Sequence, residues 1–174
     1  MKIKAIILRN ESEEDHLPWV TACEAFSDKV DWRIVNLTSA GWLEDIRSES
    51  CDILLAKPGG LTGLYKQLYD ERIYVLSHSL GYNVFPVPEE IYIYENKRFL
   101  SYWLKANGVP HPETSVFYSI DEALSFISGT SFPLVAKTNI GASGSGVKIL
   151  SDRNEAVRYT EDTFRGREIG RAHV

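Results

Sequence analysis

The apolar residues change period along the chain. Residues 2–8 hold a β-rich run, Ile3 and Ala5 to Leu8, that predicts a strand buried on both faces. Residues 17–29 place Val20, Cys23 and Phe26 near helical spacing. Residues 32–37 alternate as a second strand. A short helix is expected over 40–49, with Trp42, Leu43 and Ile46 on one side, then a third strand over 52–56 broken by Lys57-Pro58-Gly59-Gly60. A third helix is expected over 61–69, and the β-rich run 72–77 predicts a fourth strand. Strands alternating with helices imply βαβ units around a parallel sheet.

Between 78 and 90 the pattern lapses into Gly81, Asn83, Pro86 and Pro88, the composition of a linker or domain edge. Residues 95–107 resume as a helix, with Phe99, Leu100, Trp103 and Leu104 in one stripe. Gly108, Pro110 and Pro112 stop it. A strand is expected over 114–118. Ser119-x-x-Glu122 forms a capping box for a helix that buries Ala123, Leu124, Phe126 and Ile127. Strands over 132–138 and Val147–Leu150 flank a Gly/Ser loop, 139–146. Asp152 then caps a last helix over 154–164. The chain thus divides near residue 90 into an α/β part and an α+β part.

Composition narrows the function classes. The 174 residues are 44% hydrophobic and 25% charged, as in a globular protein. The formal net charge of −5 leaves no broad basic surface for nucleic acid or anionic lipid. No apolar run reaches the roughly 18–20 residues of a membrane span. Cys23 and Cys51 lack CxxC spacing and a secretory signal, and read as reduced thiols of a cytoplasmic protein. The four histidines show no metal-ligand spacing.

The residues that can carry chemistry lie around the Gly/Ser loop. Gly141 and Gly146 match the outer glycines of GxxxxG, but Val147-Lys148 follow and the chain enters a strand, so a Walker A loop is excluded. Gly144-Ser145-Gly146 begins a GxG, but no helix follows it, and the dinucleotide fingerprint fails as well. What remains is strand, glycine loop, strand. Glycines permit close backbone approach, and N–H groups with the Ser143 and Ser145 hydroxyls can donate to phosphate oxygens. Lys137, at the end of the incoming strand, can add a compact positive charge. A solvated surface hairpin has the same composition. On the helix over 95–107, Arg98 points away from the apolar stripe, whereas Lys97 lies at its border, where it can either face a cleft or snorkel into water. Lys57-Pro58-Gly59-Gly60 follows a strand end, where α/β folds bind ligands, and is equally a plain turn.

In their order these pieces resemble the ATP-grasp superfamily of carboxylate–amine or thiol ligases. The carriers are Asn96-Lys97, Gly108-Val109-Pro110-His111-Pro112-Glu113-Thr114, Ile120-Asp121-Glu122-Ala123, Phe132-Pro133-Leu134-Val135-Ala136-Lys137, and Gly141 to Gly146 followed by Val147. The likeness is close over about 91–164, loose over the first ninety residues, and nearest to glutamate and D-alanine ligases. It implies a Rossmann-like pre-ATP-grasp domain over 1–90 and an incomplete, α+β N-terminal ATP-grasp subdomain over 91–164.

By that resemblance Lys97 and Lys137 contact ATP, and Gly141, Ala142, Ser143, Gly144, Ser145 and Gly146 form a flap over its β- and γ-phosphates. The implied reaction moves the γ-phosphoryl group to a substrate carboxylate. An amine then attacks the acyl phosphate, releasing ADP and phosphate. The first ninety residues would help bind the acceptor. The family's Mg2+ ligands and catalytic arginine lie in a later subdomain, so no position here takes a metal or catalytic role, and this chain alone is expected to be inactive. Expected partners are small-molecule carboxylates and amines; many relatives pair, which leaves a homo-oligomer open. The last seven residues, Glu168-Ile169-Gly170-Arg171-Ala172-His173-Val174, resemble a translated sequencing adapter (GAG ATC GGA AGA GCA CAC GTC). Residues 165–174 are therefore expected to be a non-native tail, with the natural frame running further. A different class also accommodates the residues: a non-catalytic α/β binding domain with a surface hairpin.

Overall fold

The computed structural model describes residues 1–60, 62–140 and 146–165. The chain forms two compact units, Met1–Tyr94 and the residues from Glu95 onward. Glu95, the first residue of the second, takes a left-handed φ of 49°.

The first unit is a parallel sheet with helices. Its elements are β1 (Ile3–Arg9), α1 (Leu17–Ala25), β2 (Val30–Asn36), α2 (Trp42–Arg47), β3 (Ile53–Ala56), α3 (Gly63–Tyr74), β4 (Val84–Phe85) and α4 (Pro88–Ile93). The strand order is β2-β1-β3-β4, all parallel. This is the doubly wound 2-1-3-4 order, whose switch point falls between β1 and β3. β1 is central, which explains why Ala5, Ile6, Ile7 and Leu8 are all buried rather than alternating.

The run 72–77 is not the expected fourth strand. α3 continues through it and passes into a π-helical turn, Val75–Ser79. Lys66, Tyr69, Ile73 and Leu76 are all buried, at spacings of three and four. Helical burial beyond the run therefore overrides its local β-propensity. The fourth strand is the two-residue β4, inside the segment whose composition reads as a linker.

The second unit comprises α5 (Lys97–Ala106), α6 (Ile120–Gly129), β5 (Leu134–Lys137), β6 (Val147–Leu150) and α7 (Arg153–Arg165). β5 and β6 pair antiparallel, Lys137 opposite Val147 and Val135 opposite Ile149. Ile127, Ala136, Leu150 and Ala156 form its core. Residues 114–118 add no strand to this sheet: Thr114 Oγ1 donates back to the Pro112 carbonyl, 2.9 Å. Ser119 is the N-cap of α6 but makes no side-chain cap bond, so the expected capping box does not close. Asp152 does cap α7, accepting from the Glu155 N–H at 2.9 Å. No helix among the described residues is long and apolar enough to cross a membrane.

Candidate functional site

A cavity of about 670 Å³ opens within the second unit. Both lysines singled out above line it: Lys97 from the first turn of α5 and Lys137 from the end of β5. The α5 stripe explains the first. Leu100 and Leu104 turn into the cavity with Lys97, while Arg98 lies 5.8 Å from the Tyr118 ring centroid. Lys97 Nζ stands 3.9 Å from the Glu95 carboxylate, both side chains largely shielded from water. Lys137 is exposed, on the face of β5 that also carries Val135. Pairing extends that face to Val147 and Ile149 on β6. Val135, Val147 and Ile149 are 54%, 42% and 63% exposed, an uncovered apolar face around a single lysine.

Small side chains form part of the cavity wall. α7 buries Ala156, Thr160 and Thr163, spaced four and three along one face, where a close-packed helix would carry Leu or Ile. Ser101 on α5 and Ala123 on α6 continue the pattern, and Ser101, Ala123, Thr160 and Thr163 all line the space. The walls are mainly apolar, with Phe117 and Phe126 in tilted contact, ring centroids 5.2 Å apart. An apolar cleft with a few convergent polar groups is the usual form of a small-molecule site.

Several lining residues escaped sequence reasoning. His111, Glu113, Thr114 and Ser115 reach the cavity from the segment after α5. The only signal for the first three was the motif Gly108 to Thr114, which carried no assigned role, and Ser115 directly follows it. For Thr160 and Thr163 the available signal was their helical spacing from Ala156, four and then three residues on.

Of the expected flap, Gly141, Ala142, Ser143, Gly144 and Ser145 lie outside the described residues. Gly146 closes the loop at φ 74° against Thr138, whose N–H donates to the Gly146 carbonyl at 2.9 Å. Asn139 and Asn96 join the loop to α5: the Lys97 N–H donates to the Asn139 carbonyl at 3.1 Å, and the Arg98 N–H to Asn139 Oδ1 at 2.8 Å.

In the first unit, the turn 57–60 at the switch point is closely tied. Asn10, 2% exposed, donates through Nδ2 to the carbonyls of Lys57 and Pro58 and to Asp15. The Gly60 N–H donates to Glu11 Oε1 at 2.8 Å, and a Cβ on Gly59 would meet Glu11 Oε2 at 2.6 Å. Tyr69 is wholly buried beside this turn; burial, then the Glu11 and Asp70 charges, push its phenol far above its ordinary range. Cys23 and Cys51 are free, and burial raises both thiols.

Among the described residues no group of three or more His, Cys, Asp or Glu side chains is placed to hold a metal ion.

Residues 95–174 match the family described as phosphoribosylglycinamide synthetase, ATP-grasp (A) domain. The matched range runs through the expected tail, 165–174. The human trifunctional purine biosynthetic protein adenosine-3 is 30% identical over 88 residues, 50% of this chain and 9% of that protein. D-alanyl-alanine synthetase A from Vibrio cholerae is similar over 99% of this chain and 58% of its own, at TM-score 0.65 and 14% identity. N5-carboxyaminoimidazole synthetase from Staphylococcus aureus, solved with ADP, is similar over 99% and 47%, at TM-score 0.66 and 12% identity. The chain thus spans well under two thirds of the proteins it resembles. The family match carries the phosphoribosylglycinamide synthetase description, and the solved structures include a D-alanine-type ligase, a class the motifs resemble. The two comparisons agree: residues 95–174 match an ATP-grasp domain family related to the carboxylate–amine ligases, and the chain has the fold of ATP-grasp enzymes.

Proposed function

We propose that the unit beginning at Glu95 is the nucleotide-holding part of an ATP-dependent ligase that activates a small-molecule carboxylate as an acyl phosphate for attack by an amine. The observation that carries this is the convergence of Lys97 and Lys137, from separate elements, on one largely apolar cavity. Two ammonium groups suit a polyphosphate. The apolar walls, and the bare face of Val135, Val147 and Ile149, suit a flat base. Gly146 belongs to the same reading as the closing residue of a loop over the phosphates, a role extended to residues 141–145.

In the reaction the bond from the γ-phosphorus to the bridging oxygen breaks, and one to the carboxylate oxygen forms. The amine then displaces phosphate from the acyl carbon and loses a proton. Within this chain Lys97 and Lys137 hold and neutralise phosphate charge. The described residues offer magnesium no set of three or more His, Cys, Asp or Glu ligands. Catalysis by the 174 residues alone is not expected. The match to the phosphoribosylglycinamide synthetase family favours a substrate on a phosphoribosyl scaffold.

Lysine footprinting tests the reading. ATP should slow acetylation of Lys97 and Lys137 in this chain and leave Lys2 and Lys105 unchanged. Equal labelling of all four with and without ATP would overturn it.

A further inference from the structure

We propose that Asn139 is a positioning residue of this nucleotide site: it seats the root of the glycine loop on the first turn of α5 and thereby sets Lys97 against Lys137. The proposal rests on the nucleotide reading of the cavity.

The first amides of a helix lack intrahelical partners. In α5 each has found one. The Lys97 N–H donates to the Asn139 carbonyl (3.1 Å) and the Arg98 N–H to Asn139 Oδ1 (2.8 Å). The Phe99 N–H donates to Asn96 Oδ1 at 3.1 Å. An isolated antiparallel bridge between Asn96 and Ile140 closes the same junction. Asn139 is 8% exposed. One buried residue therefore supplies two of the three acceptors, through its backbone and its side chain together.

Two consequences follow. Helix N-termini commonly meet phosphate with backbone N–H groups, but these amides are already taken, so α5 meets an anion through the Lys97 side chain. Asn139 also stands two residues after Lys137. A single short stretch of chain thus couples the strand carrying one lysine to the helix carrying the other. Near-fixed placement of paired charges governs how tightly a polyphosphate is held. The side chain is needed as an acceptor for Arg98. A carboxylate would accept as well and would suit the positive end of the helix.

The test compares the wild-type chain with Asn139→Ala, Asn139→Asp and, as a control, Asn96→Ala. Amide exchange at Arg98, the thermal midpoint and the ATP dissociation constant are read for each. In Asn139→Ala the Arg98 amide should exchange faster, and ATP binding should weaken about tenfold, the loss of one charge-assisted contact's worth of placement. Asn139→Asp should restore both to within about twofold. Asn96→Ala frees only the Phe99 N–H and keeps both Asn139 contacts to the first turn, and should weaken ATP binding no more than about twofold. Unchanged ATP binding in Asn139→Ala, no rescue by Asp, or an equal loss in Asn96→Ala would each overturn the proposal. If Asn139→Ala does not fold, Asn139→Ser takes its place with the same expectations. Failure of the wild-type chain to bind ATP would instead overturn the nucleotide reading, and the role of Asn139 with it; Arg98 exchange still reports whether the contact exists.

Discussion

Gly146 packs so closely on Thr138 that a Cβ added to it would stand 2.7 Å from Thr138 Cγ2. Its φ of 74° is one that L side chains rarely adopt. Conformation and space both demand glycine here. Gly146→Ala should therefore strain the β5–β6 hairpin by about 1–3 kcal/mol. Thermal denaturation of the chain should show the loss, and a Gly81→Ala control, with nothing within 4 Å of the added Cβ, should show backbone strain alone.

Buried Lys66 and half-buried Asp70 form an ion pair in the first unit, 2.5 Å apart, with Lys66 Nζ also donating to the Ile91 carbonyl at 2.9 Å. Removing the lysine leaves Asp70 and the α4 carbonyl facing a poorly solvated space. Lys66→Ala should destabilise the chain by about 2–3 kcal/mol in urea unfolding.

Burial outweighs the Lys66 hydrogen bond and charge at Asp70, and its carboxyl is pushed up to about 6. The folded state then holds this proton more tightly than the unfolded one, whose carboxyl titrates near 3.8. The stability from this group is fully present below that lower value and is lost as pH rises through about 6. Melting midpoints measured across this window should fall more steeply with rising pH for the wild type than for Asp70→Asn. Parallel curves would show that Asp70 is not shifted.

Asn10 donates to three acceptors across the switch-point turn from a buried position. Asn10→Leu keeps much of the volume but leaves the Lys57 and Pro58 carbonyls without this donor. A loss of about 1–3 kcal/mol is expected in chemical denaturation. Asn10→Asp, which also brings a second carboxylate against Asp15, should cost more.

On the second unit, Lys97→Ala and Lys137→Ala should each weaken ATP binding about tenfold, and Lys105→Ala should not. Ile149→Asp on the bare face should leave the melting temperature nearly unchanged, since the side chain is 63% exposed, and still weaken nucleotide binding. Calorimetric titration of the four variants separates a base-binding face from an unused one.

Residue order by itself determined the features that depend on neighbours in the chain. The unbroken apolar run of β1, the stripe of α5, the Asp152 cap and the strand–loop–strand around Gly146 all follow from local period and turn chemistry. So does the border position of Lys97. Where the decision lay with distant partners, local reading failed or stayed silent. Residues 72–77 look β-like in isolation, yet Ile73 and Leu76 bury with Lys66 and Tyr69 at helical spacing, and helix wins. Ser119 has the residues of a capping box without the bond. The cavity joins small side chains from α5, α6, β5 and α7, and no single stretch announces a space that only their packing creates. Asn139 reads as one more loop residue until the fold brings the first turn of α5 onto its carbonyl and side chain. Short-range periodicity encodes elements, because a helix or strand repeats every few residues. Sites arise between elements, because what a buried polar group bonds to is set by which surfaces meet.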